Sequence, residues 1–187
     1  MDLTIHESDR GAVYVERIPD RSFRAAHPIT LSTDTMARVL RGVAIKEGRD
    51  LLEGLFFRPQ GIQVFRDEDV QFLAPLLAEG LTRAASDQKV AFRVVQTGVP
   101  WESATGSIYA YERSLYLTIP WLIPLSRYSD GTWAPPPTIV FFPESARRPD
   151  NHRDAHQAES TLIIDYALLT SLPAESEGAP TRSTPRR

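Results

Sequence analysis

The chain has 187 residues, 42% of them hydrophobic and 24% charged, with a formal net charge of −3 at pH 7. That is enough apolar material for one cored domain, and the mild negative balance lacks the concentrated basic field that DNA or RNA binding needs, so no nucleic-acid partner is expected. Cysteine is absent, which excludes disulfides, thiolate nucleophiles, iron–sulfur clusters and thiolate zinc sites, and no apolar run reaches the ~18 residues of a membrane span.

The elements follow in chain order. DLTIH (residues 2–6) and AVYVERI (residues 12–18) predict two short strands, joined through Asp9, Arg10 and Gly11 as a turn. PDRSFRAAHP (residues 19–28) reads as irregular, with His27 extended because the residue before a proline avoids the helical region. In LSTDTMARVLRGVAI, Ser32 or Thr33 caps a helix over about residues 33–45, whose Met36, Val39, Leu40 and Val43 share a face. LLEGLFFRPQG reads as an apolar loop or short helix, and IQVF as a brief strand.

DEDVQFLAPLLAEGLTRAAS is the most legible stretch. It predicts a helix over about residues 67–85, with Asp67 as N-cap and Glu68 and Asp69 in the first turn, where the helix dipole favours anions. Val70, Leu73, Leu77 and Ala84 form an apolar stripe, widened by Phe72, Leu76 and Leu81. Pro75 cannot donate to the Gln71 carbonyl, so a kink, or a helix restarted at Ala74, is expected. Gly80 admits something large at close range, and KVAFRVVQ (residues 89–96) supplies the strand for a sheet there.

GSIYAYERSLYLTIPWL reads as a hairpin, with strands at residues 106–111 and 115–119 and a turn at residues 112–114. Alternation puts Tyr109 and Tyr111 on one face, Ile108 and Ala110 on the other. Residues 124–137 form a Pro-, Gly- and Ser-rich loop. TIVFFP and STLIIDYALL read as two further strands, with a polar surface excursion between them. The order predicts one α+β domain over residues 1–172, an antiparallel sheet packed by two helices, followed by a flexible tail over residues 173–187.

Chemistry is sparse. The phosphate loops GxGxxG and GxxxxGK[ST] and the nucleophile elbow GxSxG are absent, and Lys46 and Lys89 are the only lysines. No cofactor and no catalytic residue is therefore expected. His152 and His156 lie four apart, with Asp150, Asp154 and Glu159 near them, and on a helix the two imidazoles would share a face. Arg153 and Asp154 fill the middle of what would be an HEXXH motif, and a solvated loop is the plainer reading. Asp67, Glu68 and Asp69 are explained by capping rather than acid–base pairing. His27, before Pro28, is read as making a local hydrogen bond rather than catalysing anything, and no local context assembles a Ser–His–Asp triad.

Aromatic residues are concentrated instead. Trp101, Tyr109, Tyr111, Tyr116, Trp121, Tyr128 and Trp133 cluster among prolines. Trp101, Tyr109, Tyr111, Trp121 and Trp133 form the expected contact surface, against the alternative of a second small core beneath the Pro-rich loop.

The segments ERIPDRSFRAAHPITLSTDTMARVLRGV, DEDVQFLAPLLAEGLTRAASDQKVAFRV, GSIYAYERSLYLTI and TLIIDYALL resemble a family of bacterial cell-envelope proteins of unknown function, many of which carry a lipoprotein signal. The resemblance covers roughly residues 12–172 and brings no activity, cofactor or catalytic residue. It implies an envelope or periplasmic location. The charged N-terminus and the missing lipid-accepting cysteine keep a cytoplasmic one open. The leading expectation is a non-enzymatic accessory or structural protein that binds a partner protein in an envelope-associated assembly. A small-ligand or glycan binder using the same aromatics is the alternative, and a metal-dependent hydrolase using His152 and His156 the second.

Overall fold

The computed structural model describes residues 3–46, 61–96, 103–120, 138–149 and 161–171. The expected loop at residues 124–137 and tail at residues 173–187 lie outside them. So do Trp101, Trp121, Tyr128 and Trp133, and the group of Asp150, His152, Asp154, His156 and Glu159.

Period-two alternation produces the first two strands, β1 (Leu3–Ser8) and β2 (Gly11–Arg17), an antiparallel hairpin. In β2 the side chains of Val13 and Val15 are fully buried while Tyr14 between them is exposed. A strap, residues 18–32, leads to α1 (Thr33–Arg41) and β3 (Val43–Lys46). After β4 (Ile62–Gln63) comes α2 (Asp67–Arg83), and then β5 (Gln88–Val95), β6 (Ser103–Tyr111) and β7 (Ser114–Thr118). The last elements are β8 (Thr138–Phe141), a 3-10 turn at Glu144–Ala146, β9 (Arg147–Arg148), β10 (Thr161–Ile164) and α3 (Tyr166–Ser171).

The architecture is α+β. Seven strands form one sheet in the order β1-β2-β5-β6-β7-β10-β9, and β4-β3-β8 form a smaller one. Every pairing is antiparallel. One face of the large sheet carries Val13, Val15, Val90, Phe92, Ile108 and Leu117, all buried in the core. α2 lies on this face against β2 and β5, and α1 packs on α2 and α3. Among the described residues no helix is long and apolar enough to cross a membrane.

α2 runs without interruption through Pro75, so the helix does not restart at Ala74. Pro75 and Gln71 are both exposed, so the carbonyl that Pro75 leaves without an amide partner lies on the solvent side of the helix, where water can take the amide's place. Its cost is therefore paid at the surface, not in the core. Pro75→Ala is expected to stabilise the fold by about 1–2 kcal/mol, the regained helix bond exceeding the entropy that proline removes from the unfolded chain. The check is a urea midpoint that rises at unchanged slope.

Three expected boundaries move. The first helix ends at Arg41 instead of residue 45, and residues 43–46 become a strand. Gly42 is the C-cap: a Cβ there would lie 2.4 Å from the Phe142 carbonyl oxygen, and its carbonyl accepts from the Phe142 amide at 2.8 Å rather than from a further helical turn. Val43, Ala44 and Ile45 instead pair with Phe141, Val140 and Ile139. Ser32 is the N-cap, its hydroxyl accepting from the Thr35 amide at 3.1 Å.

For α2 the N-cap is Arg66, with Asp67 the first helical residue. The expected strand over residues 160–169 divides into β10 and a third helix. Asp165 makes the break, its Oδ1 accepting from the amides of Ala167 at 3.1 Å and Leu168 at 3.3 Å. Its Oδ2 accepts from Arg148 at 2.5 Å. Burial alone would raise the Asp165 pKa, but the Arg148 guanidinium and the two amides outweigh it and hold the carboxyl below its usual range.

Candidate interaction face

The sheet face away from α2 presents the other half of each alternation. Tyr109 pairs across the hairpin with Tyr116, and Tyr116 pairs with Ile163 of β10. The expected division holds: Ile108 and Ala110 are fully buried on the helix side, while Tyr109 and Tyr111 are half-buried on the outer side. The rings touch. Tyr109 and Tyr116 stack with centroids 5.1 Å apart at 10°, and Tyr111 meets Tyr116 edge-on at 6.1 Å.

Phe23, from the strap, completes the group. Its ring lies 5.3 Å from Tyr109 and 5.2 Å from Tyr111. The strap is irregular, as expected, but its side chains alternate in burial. Ala25 and His27 are buried, Phe23, Ile29 and Leu31 half-buried, and Arg24, Ala26, Pro28 and Thr30 exposed. That alternation in FRAAHPITL was the available signal for Phe23. The proline and the polar residues before it obscured it.

Beside the rings runs a hydroxyl row. Ser107 pairs with Thr118, and Thr118 pairs with Thr161, the two threonine hydroxyls 3.0 Å apart. Tyr14 extends this face on β2 and is 36% exposed. Glu16 pairs with Lys89 at 3.1 Å and Arg148 with Asp165 toward the margins, and Arg93 is exposed on the same face, opposite Thr105 of β6. The group of rings itself is uncharged and flanked by hydroxyls.

His27 is 8% exposed. Its Nε2 accepts from the Ala110 amide at 3.4 Å, and its Nδ1 has no hydrogen-bond partner. Burial lowers its pKa to about 4, with the Leu81 backbone acting in the opposite sense. It hydrogen-bonds, but not locally as its sequence context suggested, because its partner Ala110 lies 83 residues away. His6 packs edge-on against Phe72 at 5.4 Å and meets the Ser8 hydroxyl at 3.2 Å. The Arg10 guanidinium lies 5.0 Å over the same Phe72 ring.

The acidic run at the start of α2 is held in separate bonds. Asp67 pairs with Arg41 at 3.2 Å and Glu68 with Arg66 at 2.9 Å. Asp69 is 1% exposed and accepts from the Arg66 amide at 3.1 Å and from Gln96 Nε2 at 2.8 Å. These carboxylates cap and tie the helix, and they do not converge as an acid–base pair. Among the described residues no three His, Asp or Glu side chains form a group able to hold a metal ion.

Comparison with protein-family models, curated proteins and solved structures gives no match to this chain.

Proposed function

We propose that the chain is a non-enzymatic binding module that docks a partner protein on the outer face of its large sheet, through Phe23, Tyr109, Tyr111 and Tyr116. The observation that carries this reading is the cluster of four aromatic rings, each in contact with two of the others, on a hydroxyl-bearing face with charged pairs at its margin. An aromatic centre inside a polar rim is the anatomy of protein interfaces, where tyrosine supplies large contact area at small entropic cost.

The ring geometry favours protein over sugar. A sugar platform offers an open ring face, whereas Tyr109 and Tyr116 spend facing surfaces on each other. The family resemblance supports a bacterial envelope-associated assembly as the setting.

The test places a photo-cross-linking residue at Tyr14, on the same face, and at Leu168 on α3 as a control, both exposed. In cells of the source organism a discrete adduct is expected at position 14 only. Tyr109→Ser and Tyr111→Ser should each weaken it about tenfold or more, as the loss of an interface hot spot does. An adduct indifferent to both substitutions, or no discrete adduct, would sink the proposal.

A further inference from the structure

We infer that the strap, residues 18–32, is an acid-released clasp that holds Phe23 in the tyrosine face, with His27 as its latch. The inference rests on the reading of that face as the binding surface. It begins at Ala110, the residue between Tyr109 and Tyr111.

The pairing of β5 with β6 runs only as far as Val90 with Ile108. Beyond it the strap takes over the role of a neighbouring strand. The Ala26 amide donates to the Ala110 carbonyl at 2.8 Å, and the Ala110 amide donates to His27 Nε2 at 3.4 Å. Both backbone groups of Ala110 thus bond to the strap, while Phe23, four residues before His27, lies against the two flanking tyrosines.

The other ties run to the residues around the end of α2. The amides of Ile18, Ala25 and Ile29 donate to the carbonyls of Asp87, Ser86 and Leu81 at 2.9, 2.8 and 3.2 Å. The Thr82 hydroxyl donates to the Ile29 carbonyl at 3.2 Å, and Ile29 and Leu31 pack against the core.

The chemistry of the latch follows from which nitrogen accepts. Because Nε2 receives the Ala110 N–H, the neutral ring carries its proton on Nδ1. Protonation can occur only at Nε2. It turns that acceptor into a donor aimed at another donor, and places a positive charge in a site that is 8% exposed.

No neighbouring charge relieves this. On the strap, Asp20, Arg21 and Arg24 are exposed. On α2, Glu79 and Arg83 pair with each other at 2.6 Å. On β6, Tyr109 and Tyr111 occupy the face opposite Ala110, and none of the described ion pairs includes His27.

The lowered pKa accords with this geometry. A histidine at about 4 in the closed strap and 6.5 when released contributes stability to the closed form that is full above pH 6.5 and lost as pH falls through 4. Linkage makes opening about 20-fold more frequent at pH 5 than at pH 7.

Amide exchange on the full chain tests it. Protection factors of Ala25, Ala26 and Ile29 should fall about 20-fold between pH 7 and pH 5, those of Val15 and Val90 staying level. Contacts from Phe23 to Tyr109 and Tyr111, read by nuclear Overhauser effects, should weaken in parallel. His27→Gln should remove the pH dependence.

Should that variant not fold, the wild-type His27 ring titration decides: a midpoint near 4 supports the latch, and one near 6.5 overturns it. Strap protection indifferent to pH, or a uniform loss that includes Val15 and Val90, also overturns it. Every readout is made without a partner, so its failure leaves the cross-linking result standing, and the converse holds.

Discussion

Gly80→Ala is expected to destabilise the protein by about 1–3 kcal/mol, although alanine is the better helix former by roughly 1 kcal/mol. Gly80 lies on the buried side of α2, above β5. A Cβ there would stand 2.7 Å from Val90 Cγ1 and 3.1 Å from Cγ2. Val90 is fully buried and β-branched, so it has few rotamers in which to yield. The alternative is for the helix to lift off the sheet, which would loosen Leu73, Leu77 and Leu81, all fully buried.

The clash is with the valine methyls and not with its Cβ, which would be 3.5 Å away. Gly80→Ala combined with Val90→Ala should therefore be less destabilised than the sum of the single variants, with a coupling of about 1–3 kcal/mol. Urea unfolding of the four proteins measures it. A single Gly80→Ala variant as stable as the parent would show that helix and sheet are not in the close contact described.

That contact was legible in the sequence for a definite reason. The apolar stripe of α2 repeats at 3.6 residues and the following strand is rich in β-branched residues, so a glycine on the striped side points to a close approach. The hairpin was legible for the same kind of reason, since Ile108 and Ala110 alternate with Tyr109 and Tyr111 and only one set can enter the core.

What was not legible depended on parts of the chain distant in sequence. Val43 continues the helical stripe of Met36, Val39 and Leu40, and Gly42 is the local break in it. What replaces the helix is set about a hundred residues later, where Phe141 pairs with Val43 and the Phe142 amide bonds the Gly42 carbonyl. Asp165 sits inside an apolar run, and only its two capped amides and Arg148 reveal a helix start.

The candidate face divides in the same way. Tyr109, Tyr111 and Tyr116 follow from strand alternation, but Phe23 arrives from a segment that borrows Ala110 as a pairing partner. A strand-like strap whose bonds are divided between β6 and the end of α2 leaves too weak a pattern to separate from a loop.

The acidic first turn of α2 hides the largest expected polar effect. Glu68 and Asp69 look alike in sequence, as dipole-complementing carboxylates, yet only Asp69 is buried. Its Oδ2 accepts from the Arg66 amide and from Gln96 Nε2, with Arg66 Nε 3.6 Å away. Gln96 also donates to the Val64 carbonyl at 2.9 Å and is itself 2% exposed. One carboxylate thus fastens the start of α2 to the segment before it and to the end of β5.

Asp69→Ala removes a charged acceptor from donors that water cannot reach, and about 3 kcal/mol should be lost, combining a cap with a charge-assisted bond. Asp69→Asn keeps one acceptor oxygen and should lose roughly half as much. Asp67→Ala, with its carboxylate exposed and paired only to Arg41, should lose less than about 1 kcal/mol.

Replacing both partners, Asp69→Leu with Gln96→Leu, should recover part of the loss, because two unmatched polar groups become an apolar contact. The four variants rank by urea midpoint. If Asp69→Ala were no worse than Asp67→Ala, the buried carboxylate would be a surface cap like its neighbours, and the junction of α2 with β5 would have to be held by apolar packing alone.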